Sequence, residues 1–105
     1  MIKMVSIFSL PSGVDPDEFW KYWKEIHVPD FKSLKPSLKK YIINRVDQKL
    51  AGADKFWGLV ETWWENEDDV RLTFGSPEGK KVADDFWTRV IGRCSVIVEE
   101  EEIAL

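Results

Sequence analysis

The chain has 105 residues, 44% hydrophobic and 32% charged, a balance that suits one globular domain spanning 1–105 and leaves too little surface for a second core. A formal net charge of −4 argues against a nucleic-acid or anionic-membrane partner, which needs a basic patch; the lysines at 32, 35, 39 and 40 read as a solvated face. One cysteine excludes an internal disulfide and a multi-thiolate metal site, and no apolar run approaches the roughly 20 residues of a membrane-spanning helix.

Residues 2–10 read as a strand apolar on both faces, with Ile2, Met4, Phe8 and Leu10 on one side and Val5 and Ile7 on the other. They carry no signal-peptide pattern, so a cytoplasmic protein is expected. Pro11-Ser12-Gly13 ends the strand. Asp15-Pro16-Asp17-Glu18 is a helix start: an acidic cap, proline in the first turn and Glu18 three residues after the cap. Phe19, Trp23, Ile26 and His27 follow at three- and four-residue spacing and share one helix face. Pro29 disfavours helical geometry at Val28, so a break or kink is expected there, with a short second piece through Leu34.

Residues 37–46 form a second strand, 47–55 a loop, and 56–64 a third strand apolar on both sides. Asn66 caps a short helix that Gly75 stops, and Ser76-Pro77-Glu78 starts another through Phe86. Residues 93–103 form a last strand, whose acidic end from Glu99 to Glu102 reads as a solvated end that discourages edge pairing.

The order βαββαβ predicts an α+β, ferredoxin-like fold: a four-stranded antiparallel sheet with its helices on one face. Nothing in the chain covers the other face, although strands one and three are apolar there. A second copy pressed sheet to sheet is therefore the expected partner, a homodimer closed into an α/β barrel. Six tryptophans are more than a core of this size needs, and tryptophan also suits interfaces and pockets.

Motifs that name a reaction are absent. Gly75-Ser-Pro-Glu-Gly79-Lys80 is one residue short of a phosphate loop, and Ser37-Leu-Lys-Lys40 lacks the companion motifs of penicillin-binding enzymes. With one histidine no two-His metal site can form within the chain, so no metal and no cofactor are expected. His27 is the one side chain that titrates near neutrality, the natural proton carrier. If the helix stops there, the negative end of its dipole favours the protonated form. A structural histidine bonded to a backbone carbonyl at the kink is the equal alternative. Tyr41 shares a strand face with Lys39, Ile43 and Arg45, where it either donates a hydrogen bond into a partly polar cavity or simply packs. Glu61, between Leu59 and Trp63 on one face, is either a desolvated carboxylate or, the preferred reading, one paired with a lysine or arginine at an open rim.

Phe19-Trp20-Lys21-Tyr22-Trp23-Lys24-Glu25-Ile26-His27-Val28-Pro29 resembles the F-x-x-Y-W-x-x-x-H-x-P signature of EthD-type proteins in the dimeric α/β-barrel (antibiotic monooxygenase-like) superfamily. The resemblance continues through Leu38-Lys39-Lys40-Tyr41, Glu61-Thr62-Trp63-Trp64, Ser76-Pro77-Glu78-Gly79-Lys80 and Asp84. It implies a dimeric barrel and a cofactor-free isomerase, cyclase or dehydratase acting by proton transfer on a small hydrophobic oxygenated ring compound, such as a lactone or polyketide. His27 and Tyr41 would be catalytic, and Trp23, Glu61, Trp63 and Phe86 would belong to the substrate pocket. Two other functions fit the same family: a non-catalytic ligand-binding or accessory protein of a degradative pathway, and a monooxygenase, cofactor-free or haem-linked, with His27 available as the axial ligand.

Overall fold

In a computed structural model that describes residues 1–105, the first alternating segment is strand β1 (Ile2–Ser9), an inner strand of a four-stranded antiparallel sheet. It pairs with β3 (Gly58–Trp64) and β4 (Ile91–Val98), and β2 (Leu38–Arg45) lies outside β3. The order β2-β3-β1-β4 is that of the ferredoxin-like fold. Helices α1 (Pro16–Tyr22), α2 (Val28–Ser33), α3 (Glu67–Gly75) and α4 (Pro77–Trp87) complete it. None is long and apolar enough to cross a membrane.

Strand parity decides what the helices cover. Met4, Ser6 and Phe8 stand opposite Thr62, Val60 and Gly58 of β3, and Tyr41 and Ile43 of β2 flank Thr62 and Val60 from the other side. Phe8 is fully buried at the centre, its ring 5.2 Å from Trp23 and 5.3 Å from Phe86 in edge-on contacts. Its ring occupies the space that a Cβ on residue 58 would need, which is why that position is glycine. Trp20, Trp57 and Trp87 pack around this cluster, and Trp64 is buried beside Phe31 and Phe74. Five of the tryptophans thus serve the helix side; Trp63 alone is on the other face.

The first helical stretch departs from expectation at Pro29. Asp15 caps it, accepting from the amides of Asp17 and Glu18 at 2.9 and 3.5 Å. It then passes through a π-helical turn, Trp23–His27, straight into α2 without a break, and Val28 keeps helical angles. The Val28 amide donates to the Trp23 carbonyl, a five-residue step. Proline at 29 has no N–H for the Glu25 carbonyl, and its ring would clash with that carbonyl in a regular α-helix. The wider π turn accommodates both facts.

Strand boundaries also differ, and β4 starts at Ile91 rather than at 93. The third strand starts at Gly58 rather than at 56, although Trp57 is still tied to Phe8 and Val46 by 2.7 Å backbone bonds. The last strand ends at Val98, well short of 103. Beyond it Glu100 turns back to Lys3 and the Trp63 indole (2.8 and 3.0 Å), so one member of the acidic run is an anchor rather than a solvated end.

Candidate active site

Between the helix-covered sheet face and the helices lies a cavity of about 340 Å³. Met4, Ser6, Tyr41, Val60, Thr62 and Arg93 contribute from the sheet; Trp23, His27, Phe31, Phe86 and Trp87 are among those from the helical side. The lining is mainly apolar, with few polar groups, the usual make-up of a small-molecule site.

The π turn presents His27 to this space. Its ring centroid is 4.4 Å from that of Phe86 and 6.4 Å from that of Phe31. It makes no side-chain hydrogen bond to the protein, yet no buried nitrogen is left without a partner, so its ring nitrogens remain accessible on a residue that lines the cavity. The backbone-bonded structural histidine is therefore not what the fold builds. Burial pulls the imidazole pKa down to about 4, against the opposite pull of Asp85 and Asp30. The ring is neutral at pH 7. The dipole-stabilised imidazolium is overturned for a simple reason: the helix does not end at His27 but runs to Ser33.

Tyr41 lines the same cavity, its ring edge-on to Phe31 at 5.3 Å. Burial raises the phenol to about 12, while the nearby Trp23 indole, which does not complete a well-formed hydrogen bond to it, acts the other way. Tyr41 is thus a proton-bearing donor at neutral pH. Its neighbour Thr62 accepts from the Trp64 indole at 2.8 Å, and Ser6 and Ser95 share a 2.8 Å hydrogen bond. Lys39 does not share the face of Tyr41 as the alternation predicts, because an extra residue between Leu38 and Lys40 makes a bulge there.

Trp23, His27, Tyr41 and Phe86 line one cavity; Glu61 and Trp63 do not join them. Both sit at odd positions of β3, and Val60 and Thr62 take the cavity side. On the free face Glu61 pairs with Lys3 at 2.9 Å and accepts from Asn44 at 3.3 Å, the paired alternative of the two read from its sequence position. Trp63 lies under the Lys3 and Lys40 ammonium groups, 4.6 and 4.9 Å from its ring.

Two charged residues escape the sequence reading, Asp85 outside the cavity lining and Arg93 within it. Asp85, beside His27, accepts a 2.6 Å hydrogen bond from Tyr22 and a 3.2 Å one from Arg89. The Tyr22 hydrogen bond comes first among the causes that hold its carboxyl below the usual range, so it stays ionised where it can support a proton arriving on His27. Arg93 enters from β4, its guanidinium 4.1 Å from the Trp87 ring and its Nε donating to Ser95 at 2.9 Å. Only the register of β4 against β1, Ser95 opposite Ser6, places Arg93 on the cavity side. No three His, Cys, Asp or Glu side chains converge as metal ligands.

Residues 11–86 match the EthD domain. The chain belongs to the EthD family. Solved structures carry the same fold at low sequence identity. An EthD-family protein of Bacillus halodurans is 20% identical, with a TM-score of 0.78 over 96% of this chain and 99% of that one. The hydroxynitrile lyase of Passiflora edulis is 15% identical, with a TM-score of 0.74 over 99% and 96%. SnoaB, a cofactor-independent oxygenase of Streptomyces nogalater, is 15% identical, with a TM-score of 0.72 over 97% and 94%. No curated protein matches the chain significantly.

Proposed function

We propose that this EthD protein is a cofactor-free enzyme that moves a proton on a small, hydrophobic, oxygenated ring compound, as an isomerase, cyclase or dehydratase does. One observation carries the reading: a neutral imidazole with free ring nitrogens and a protonated phenol line the same mainly apolar cavity. His27 takes a proton from the ligand, and Asp85 and Asp30 favour the imidazolium that results. Tyr41 donates to the carbonyl oxygen on which negative charge develops, and Trp23 and Phe86 hold the ring. The likeness in fold to a hydroxynitrile lyase supports acid–base chemistry in such a cavity.

Deuterium exchange tests this without knowledge of the product. A panel of small lactones and cyclic ketones in D₂O, followed by proton NMR, is expected to include members that lose α-protons about 10²–10⁴ times faster with wild type than with His27→Gln. Tyr41→Phe lowers the rate while leaving binding. Ligands that quench tryptophan emission, with no exchange in any protein, would instead make the cavity that of a binding or accessory protein. The likeness to a cofactor-independent oxygenase favours a second reading, oxygen insertion, which substrate-dependent oxygen consumption would reveal. Its haem-linked form needs His27 as axial ligand, and a haemin titration without a Soret shift excludes it.

We further infer a homodimer joined through the free sheet face, where Val5, Ile7, Leu59, Ile42 and Val96 lie outside the helices' cover. Action in the cytoplasm belongs to the same reading.

A further inference from the structure

We propose that Arg93 makes this cavity selective for an anionic ligand, a small ring compound bearing a carboxylate that docks on the Arg93 guanidinium. The inference rests on the cavity being a ligand site, as in the reading above, but not on His27 doing chemistry there.

The pattern of ion pairs carries it. Every other arginine has a carboxylate partner: Arg45 with Asp17, Arg71 with Glu67, Arg89 with Asp85. Arg93 has none within 4.0 Å. It is nevertheless held in place, by its Nε on Ser95 Oγ at 2.9 Å and by the Trp87 ring at 4.1 Å. Both contacts leave the terminal guanidinium nitrogens without a protein acceptor. Such a fork, fixed and unpaired, matches the two oxygens of a carboxylate.

The surroundings agree in sign. Arg93 stands at the open rim of the cavity, where partial burial works against its charge, and Asp84 is the one acid that offsets this, from beyond ion-pair distance. Lys80 also lines the cavity and forms no ion pair, so among the lining residues two cations face one carboxylate, Asp84; the nearby Asp85 is already paired with Arg89. A carboxylate would complete the balance, and the apolar lining would take the ring to which it is attached.

Calorimetric titration of the intact protein with 2-naphthoate and with its neutral isostere 2-naphthamide tests the proposal. Wild type is expected to favour the carboxylate by about tenfold or more, and the preference should shrink with added salt. Arg93→Gln abolishes the preference and leaves amide binding in place; Arg93→Lys, which keeps charge but loses the fork, retains part of it. In His27→Gln the preference persists even if all proton exchange is lost, which separates the failure of catalysis from the failure of anion recognition. Equal affinity for the two probes in wild type overturns the proposal. So does an unchanged preference in Arg93→Gln, or no saturable carboxylate binding in the millimolar range.

Discussion

At the scale of single residues, His27 links the site to stability. Its folded pKa of about 4 lies below the 6.5 of an exposed histidine, so between those values the unfolded chain holds a proton that the folded chain does not. The stability this group contributes is whole above pH 6.5, declines as pH falls toward 4, and changes no further below that. The span corresponds to at most about 3 kcal/mol. Urea unfolding near neutral pH and at about pH 5 should show wild type losing stability over that interval and His27→Gln losing much less. Equal losses in the two proteins would mean that the imidazole is already solvated in the fold. The sequence marks His27 and Tyr41 because their chemistry is rare in this chain. It does not mark Arg93, whose side of the sheet depends on a pairing register, and it groups Glu61 with Trp63 without saying which face those odd positions take.

At the scale of elements, caps and turns were legible while lengths and continuity were not. Asp15, Asn66 and Ser76 each accept from the amides that a helix start leaves open, a local matter written in a few adjacent residues. The end of β4 and the passage through Pro29 depend on partners far along the chain, or on a π turn that no propensity describes. The α3–α4 junction shows how strictly such partners act. Gly79 lies in the first turn of α4, where a Cβ would run into the Thr73 carbonyl, whereas Gly75 at the end of α3 has open space around it. Alanine for glycine inside a helix ordinarily gains up to about 1 kcal/mol. Gly79→Ala should reverse that sign and lose about 1–3 kcal/mol, because backbone must move to admit the methyl group. Gly75→Ala should be neutral or mildly stabilising. Thermal unfolding of both variants decides the matter, and a Gly79→Ala protein as stable as Gly75→Ala would mean that the two helices part easily.

At the scale of the molecule, the sheet has one dressed face and one bare one. Alternation alone made this visible, since a strand such as β1 with Met4 and Phe8 on one side and Val5 and Ile7 on the other has apolar groups to hide twice. The bare face is not uniformly apolar: Lys3, Glu61 and Glu100 are paired across one end, with Trp63 beneath Lys3 and Lys40. Charge at one end and apolar side chains elsewhere fit a contact that has a rim as well as a centre. Val5 is at that centre, opposite Glu61 on β3 and Val96 on β4. In a single chain Val5→Lys places an ammonium in water beside Glu61, at little cost to the fold. Between two sheets Glu61 is already engaged by Lys3 and Asn44, so the same ammonium is buried without a free partner, and burial of an uncompensated charge costs several kcal/mol, a weakening of the dimer by about 10² or more. Sedimentation velocity of wild type should give the mass of two chains, and Val5→Lys the mass of one, with its circular dichroism unchanged. A wild type that sediments as a single chain at every concentration would mean that this face is solvated as it stands. The cavity, which lies on the other side of the sheet and is lined by this chain's own residues, would then have to bind its ligand within one chain.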